Sequence, residues 1–385
     1  MNTHQPYDLK QMQSLPLEAK IQMTKERVRV WYESWTRFEI YDKSTGKTRF
    51  ATIDTRDYHA EPKMKDSEYI ESAFPGQVYV SFSGGKDSTV LKHIVDSMYD
   101  DVPALFINTG LEYPEIQKFA MSQKNVITIR PEMRFDEVIK TYGYPVISKE
   151  VSEKTYYAQI GREYGLNAFK GIDKHGNPDP FRKQLIKYAR LIDSGIPISS
   201  KCCYVMKKTP AKKYEKETGR KPIIGTMAEE SALRKQSWLR SGCNAFESAR
   251  PTSQPMSFWT EQDVLHYIKK YNVPYCSVYG DIRVKQNADN SDLCEGQMNL
   301  IDYLECYESD DLLETTCERR TGCIFCMFGC HLEKEPNHFQ RLKETHPRQY
   351  DYCINGGEMV DGKWQPNKEG LGLGHVLDYI GIKYK

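Results

Sequence analysis

The sequence predicts an α/β fold built on a doubly wound parallel sheet. Three observations point to it. Short apolar runs alternate with amphipathic stretches from residue 76 onward. Ser83-Gly84-Gly85-Lys86-Asp87-Ser88 lies between the apolar run Val78–Phe82 and the stretch Val90–Val95, in the order strand, glycine turn, helix. Two further motif-bearing segments, Asn108–Glu112 and Thr226–Arg234, also follow apolar runs. All three then fall at strand carboxyl ends, where open α/β sheets bind ligands. Sheets of this kind are wound with right-handed crossovers.

The elements follow in order. Residues 1–75 read as an extension. Apolar residues at helical intervals (Ile21, Val28, Trp31, Trp35) predict a helix over Leu17–Trp35. Phe38–Thr55 reads as a hairpin turning at Ser44-Thr45-Gly46. Strand Gln77–Phe82, helix Thr89–Tyr99, strand Pro103–Asn108, helix Tyr113–Ser122, strand Asn125–Arg130 and helix Phe135–Tyr142 come next. Pro114 suits the first turn of its helix. Residues 150–200 form a polar, helical insertion with a loop at Gly171–Pro180. Thr209-Pro210 opens a helix that Gly219 closes. A strand at Pro222–Thr226 follows, then a helix carrying Val264, Leu265 and Ile268. Asp281–Asp311 is a polar, acidic excursion. The tail from Glu333 reads as a helix, a Gly-rich segment and the apolar run Val376–Ile380. The domains expected are the extension 1–75, a nucleotide-binding domain 76–280 with its insertion, and a cysteine-containing region 281–385.

The 385 residues carry a net charge of +1, so no global field demands nucleic acid or membrane. No apolar run approaches the roughly 20 residues that span a bilayer. Met1–Lys20 is polar and lacks the apolar stretch of a signal peptide, so a cytoplasmic location is expected. The 11 cysteines are too few for a disulfide scaffold, and their clustering in a reducing compartment points to metal or redox chemistry.

The loop is the candidate for phosphate binding. Glycines let the backbone turn tightly. The first amides of the following helix lack internal partners and, with the helix dipole, favour phosphate oxygens. Lys86 adds a cation. The Walker pattern is excluded, because Val80 stands at its upstream glycine position and Asp87 follows the lysine.

The loop resembles the pyrophosphate loop of the ATP pyrophosphatase (adenine nucleotide alpha hydrolase) superfamily. Five later segments, in order, resemble its phosphoadenosine phosphosulfate (PAPS) reductase branch. These are Asn108-Thr109-Gly110 with Tyr113-Pro114-Glu115; Lys201–Lys208 with its C-C-x-x-x-K; Gly225–Arg234, similar to G-x-R-x-x-E-S-x-x-R; Trp259-Thr260 through Tyr279; and Thr321-Gly322-Cys323-Ile324-Phe325-Cys326. The resemblance covers about 76–330. The departures matter. The E-C-G-L-H segment, whose cysteine attacks sulfur in the sulfonucleotide reductases, has no counterpart here. The loop, usually degraded in those reductases, is intact, as in the ATP-using component of DNA phosphorothioation and the tRNA thiolases. Asn108 stands where Asp is common, and Met227 where Arg is common.

The resemblance implies a nucleotide site built from Ser81, Phe82, Ser83, Gly84, Gly85, Lys86, Asp87, Ser88, Asn108, Thr109, Gly110, Gly225, Glu230 and Arg234. It implies ATP with Mg²⁺, with Lys86, Asp87 and Arg234 catalytic. The reaction expected is adenylylation of an acceptor for sulfur transfer or a similar substitution. The alternatives are a PAPS/APS-type sulfonucleotide reductase, and a nucleic-acid-associated module that uses the nucleotide as a regulatory ligand.

Cys202-Cys203 with Cys323-x-x-Cys326 resembles the ligand set of a [4Fe–4S] cluster in adenylyl sulfate reductases. A local set of Cys317, Cys323, Cys326 and Cys330 is the alternative, and zinc is the alternative metal, because four thiolates do not by themselves choose. Arg319 and Arg320 are expected to favour the thiolates. Cys243, Cys276, Cys294, Cys306 and Cys353 read as buried apolar residues. His331, His338, His346 and His375 show no ligand spacing. The basic run Lys207–Lys221 is either a solvated face or a track for polynucleotide phosphates.

Overall fold

The computed structural model describes residues 4–57, 59–285 and 311–385. Cys294 and Cys306, and most of the acidic excursion, lie outside the described residues.

The chain opens with helices α1 (Pro6–Gln13) and α2 (Leu17–Glu33), then strands β1 (Trp35–Asp42), β2 (Lys47–Asp54) and β3 (Glu68–Phe74). Next come β4 (Val78–Phe82), α3 (Lys86–Asp96), β5 (Ala104–Ile107), α4 (Pro114–Ser122), β6 (Val126–Ile129), α5 (Phe135–Tyr142) and β7 (Val146–Ile147). Helices α6 (Lys149–Gln159) and α7 (Glu163–Phe169) occupy the insertion. Then follow α8 (Thr209–Thr218), β8 (Lys221–Ile224), α9 (Ala232–Ser241), β9 (Asn244–Ala245), β10 (Thr252–Ser253) and α10 (Glu261–Tyr271). The described residues pack into two compact units. One comprises Met1–Phe106, Pro114–Thr128 and Tyr214–Thr321; the other comprises Ile107–Tyr113, Ile129–Lys213 and Gly322–Lys385.

The first unit holds a six-stranded sheet in the order β6-β5-β4-β8-β10-β9. β4 lies between β5 and β8 and is parallel to both, with Ser81 opposite Leu105 and Ile224. β10 is parallel to β8, and the short edge strand β9 runs antiparallel to β10. This is the predicted α/β architecture with a mostly parallel sheet. Val78, Val80 and Ile223 are wholly buried, as strands covered on both faces require. Leu91 and Ile94 of α3 and Trp259 complete this core.

The expected hairpin is β1–β2, turning through Asp42–Lys47. β3, which the sequence reading missed, adds a third antiparallel strand on the other side of β1. α2 is tied to the first turn of α10 and to the segment before it. Lys20 Nζ lies 2.7 Å from Asp263 Oδ2, and the Trp259 indole N–H donates to Thr24 Oγ1 at 2.9 Å.

In the second unit one short stretch organises two distant parts of the chain. Tyr144 bridges Ile198, just before Cys202. Two residues on, Val146 pairs with Met327, the residue after Cys326. The Ile324 amide also donates to the Leu111 carbonyl at 2.7 Å. Both cysteine pairs are therefore anchored to the same backbone.

Candidate functional site

The loop Ser83–Ser88 joins β4 to α3. Gly84 has φ of +73°, and a Cβ there would meet Ile116 Cγ2 at 3.0 Å and the Ile116 carbonyl oxygen at 3.2 Å, so the position requires glycine. α3 begins at Lys86 with Gly85 as its N-cap. It starts three residues earlier than the sequence reading placed it, so Lys86, Asp87 and Ser88 form its first turn. Ser88 Oγ donates to the Gly85 carbonyl at 2.9 Å and accepts from the Ser83 amide at 3.2 Å. The Lys86 amide donates to the Tyr279 hydroxyl at 3.2 Å, and that hydroxyl shares a 2.6 Å bond with Thr321 Oγ1. Ser81 and Phe82 lie within β4, where Phe82 is buried.

Lys86 is only 4% exposed. Its ammonium donates to Glu261 Oε1 at 2.9 Å and to the Arg319 carbonyl at 2.5 Å. Glu261 Oε2 in turn accepts from Arg319 Nε and Nη2 at 2.8 and 2.5 Å. Burial raises the Glu261 pKa, but Arg319 and Lys86 outweigh burial and hold the carboxyl below its usual value. Lys86 is thus neutralised by a carboxylate that no motif announced.

Asp87 differs. Its Oδ1 is buried and has no hydrogen-bond partner among the described residues. Burial pushes its pKa up against the pull of Lys86, Arg320 and Arg234, and Glu261 adds to the rise. A buried carboxylate oxygen without a donor is costly. It suits a position that a cation or a polarised ligand completes.

The fourth motif packs on the same turn. A Cβ on Gly225 would meet the Asp87 carbonyl oxygen at 3.1 Å, so β8 and α3 approach through glycine. Glu230 Oε2 accepts from the Met227 amide at 2.9 Å and pairs with the Arg234 guanidinium. Ser231 Oγ caps α9 by accepting from the Arg234 amide at 3.3 Å. Helix capping and orientation of the arginine therefore both occur here. Burial, then Arg320, lowers the Arg234 pKa. In the first unit Lys86, Arg320 and Arg234 thus all act on the Asp87 carboxylate in the first turn of α3, while Lys86 and Arg234 also pair with Glu261 and Glu230.

Asn108, Thr109 and Gly110 belong to the second unit. There the turn folds onto Glu112. Thr109 donates to it through Oγ1 at 2.7 Å and through its amide at 3.1 Å, while Asn108 Oδ1 accepts from the Gly110 amide at 3.1 Å. Glu112 is buried, with Lys207 Nζ 3.9 Å away.

Cys202, Cys203, Cys323 and Cys326 line one cavity, together with Leu111, Phe135, Pro145, Met206 and Lys207. Its volume of about 20 Å³ exceeds what one water needs. The Cys202 and Cys203 sulfurs are 4.0 Å apart. The close S–H···S contact lowers Cys203, helped against burial by Lys149, Lys207 and Lys208, and raises Cys202. Burial raises Cys323, and raises Cys326 to about 12. Burial would lower Lys207, but Cys323 and Glu112 raise it. Four sulfur donors with one lysine form a set that suits soft metals. A tetrahedral zinc with Zn–S of about 2.3 Å needs sulfurs roughly 3.8 Å apart. Among the described residues, no three of these sulfurs lie within 4.8 Å of one another. Four cysteine thiolates are also the usual ligand set of an iron–sulfur cluster.

A family model for the phosphoadenosine phosphosulfate reductase domain matches residues 77–327, well over half of the chain. The chain belongs to the PAPS reductase family. An uncharacterized protein of Methanocaldococcus jannaschii is 33% identical over 120 residues, which cover 29% of this chain and 29% of that protein. The chain thus spans less than a third of that relative's length. Among solved structures, a phosphate complex of PAPS reductase from Candida auris is similar with a TM-score of 0.29 and 17% identity, covering 53% of this chain and 76% of that one.

Several PAPS reductase-family expectations shift in detail. Arg319, expected beside thiolates, is bound to Glu261, and the cation against Cys323 is Lys207. Of the alternative local set, Cys317 is exposed, and Cys330 directs its thiol to the Cys326 carbonyl at 3.3 Å. Cys243, Cys276 and Cys353 are buried, as expected. His338, read as having no ligand spacing, lies against Cys330 and Glu333. The basic run is partly spent: Arg220 donates to the Val78 carbonyl, Lys221 lies over Trp35 and Lys213 pairs with Glu132, while Lys212 and Lys216 are exposed. No described helix is long and apolar enough to cross a membrane.

Proposed function

We propose that this chain is an ATP pyrophosphatase-type enzyme that adenylylates an acceptor for sulfur transfer or a related substitution. The observation that carries the reading is the intact loop at the start of α3, with the unpartnered Asp87 Oδ1 among Lys86, Arg234 and Arg320. The helix N-terminus at the first turn, with Lys86 and Arg234 beside it, suits a triphosphate. In the reaction an acceptor oxygen attacks the α-phosphorus. The bond from that phosphorus to the bridging oxygen breaks, and pyrophosphate leaves with the electron pair. A sulfur or other nucleophile then displaces AMP. Charge grows on the leaving pyrophosphate, where Lys86 and Arg234 stabilise it. Mg²⁺, held through Asp87, would supply further charge neutralisation. Lys86 must exchange part of its contact with Glu261 for phosphate.

The same proposal places a [4Fe–4S] cluster on Cys202, Cys203, Cys323 and Cys326. Such a cluster, anionic overall with its four thiolates, would supply a redox-active group beside Lys207. Anaerobic protein is expected to be brown and to carry iron and sulfide, both lost in Cys323→Ser. Colourless protein that takes up zinc on these cysteines overturns this part.

ATP-dependent pyrophosphate release, measured with nucleic-acid and sulfur acceptors, tests the reaction. It is expected in the parent chain and absent in Lys86→Ala and Asp87→Ala. Sulfite production from a sulfonucleotide plus thiol, without pyrophosphate release, supports the reductase alternative. That alternative needs an attacking thiol, and the tail cysteines Cys330 and Cys353 are both buried. Nucleotide affinity without turnover supports the binding-module alternative.

A further inference from the structure

The tail carries a second set of metal-ligand side chains, outside the four cysteines. Cys330 opens the 3₁₀ turn Cys330–Leu332, and Glu333 follows it. His338 is the first residue of the helix His338–Thr345, which Asn337 caps through the amides of Phe339 and Gln340. Glu333 is held in two ways: its Oε2 accepts from the His338 backbone N–H at 2.7 Å, and its Oε1 lies 2.8 Å from His338 Nδ1. Cys330 Sγ lies 3.8 Å from His338 Nδ1 and 3.9 Å from Nε2. One sulfur, one ring nitrogen and one carboxylate oxygen thus gather within 4.8 Å, and no other three such groups do so among the described residues.

The distances discriminate between readings. Near-equal spacing from both ring nitrogens puts the sulfur off the line of either one, so a simple thiol–imidazole hydrogen bond does not describe the contact. Sulfur and nitrogen ligands of a tetrahedral zinc, at about 2.3 and 2.0–2.1 Å from the ion, stand about 3.6 Å apart. The observed sulfur–nitrogen spacing is close to that. Nitrogen and oxygen ligands would stand about 3.3 Å apart, so the carboxylate needs to withdraw by roughly half an ångström. Burial is graded along the set: Cys330 is 2% exposed, the His338 side chain 14% and the Glu333 side chain 34%. An ion can enter from the Glu333 side and reach the sulfur last.

We propose that Cys330, Glu333 and His338 bind one Zn²⁺, with water as the fourth ligand. Thiolate, imidazole and carboxylate are all zinc ligands, and three protein ligands plus water is a common zinc arrangement. Binding releases the thiol proton to solvent. The ion ties the first turn of the tail helix to the turn that follows Cys326, where Glu333 and Cys330 now meet His338 directly. The rival reading is an ion pair at a helix start with a cysteine packed against the ring, and it requires no metal.

The test uses the full chain, stripped of zinc with a chelator and titrated with Zn²⁺ against a chromophoric competitor. One equivalent is expected, bound at least about tenfold more weakly in His338→Ala and in Glu333→Gln. Binding is expected to persist in Cys323→Ser, and iron content to be unchanged in His338→Ala. Co²⁺ in place of zinc should show charge transfer from a single thiolate. Circular dichroism checks that each variant folds. If one does not, the Co²⁺ spectrum of the parent chain decides. No zinc uptake, uptake unchanged in His338→Ala, loss in Cys323→Ser, or a cobalt spectrum of several thiolates overturns the proposal.

Discussion

Asp87 illustrates how one residue trades stability for a site. Its folded-state pKa is raised, mainly by burial. The protonated form therefore bears no penalty, and the charged form does. The penalty is absent below the ordinary carboxyl value of about 3.9 and is fully felt above the raised value. Asp87→Asn removes it. Without nucleotide, the variant is expected to melt above the parent at pH 7, and the advantage should vanish below about pH 4. Thermal denaturation at both pH values checks this; a variant that melts lower at pH 7 would show that Lys86, Arg234 and Arg320 outweigh burial. At this scale the sequence displayed Lys86, Asp87 and Arg234, because their motifs are local. It did not display Glu261 as the partner of Lys86, because that ion pair joins segments far apart in the chain. His338 was missed for a related reason. A ligand set that mixes cysteine, glutamate and histidine at uneven intervals has no spacing rule to announce it.

Elements were legible where one physical rule dominated. The apolar intervals of α2 and α10 and the strand–turn–helix order around the loop were read correctly. Boundaries slipped where side chains rather than apolar periodicity decide. α3 starts at Lys86 because Gly85 takes the cap position and Asp87 suits a first turn. β3 was missed because its exposure pattern along Glu68–Phe74 reflects pairing with β1 alone. α2 shows how an added element is fixed. Asp263 both caps α10, accepting from the Thr260 amide at 2.7 Å, and meets buried Lys20. Lys20→Ala leaves that carboxylate without its cation and is expected to cost about 3 kcal/mol. Thr260→Ala, which removes only a cap, should cost about 1 kcal/mol. Denaturant midpoints at unchanged slope measure both. Equal losses would mean that the ion pair adds nothing beyond the cap.

For the whole molecule, ligand linkage separates the functional readings. MgATP at a hundred times its Kd stabilises the native chain by about 2.7 kcal/mol, a rise of a few degrees in Tm. Lys86→Ala should erase the shift. A sulfonucleotide that shifts the parent further than ATP would favour the reductase alternative. The sequence by itself determined the family, the loop and the alternation of strands and helices, because each rests on contiguous residues whose backbone preferences act locally. Only the tertiary structure decided which cysteines share a cavity. Tyr144 and Val146 pair with Ile198 and Met327, and so carry Cys202-Cys203 and Cys323-x-x-Cys326 to the same cavity. It likewise decided that Lys86 rests on Glu261 and that Asp87 keeps an unpartnered oxygen. Such pairings follow from long-range packing and burial, which local spacing does not encode.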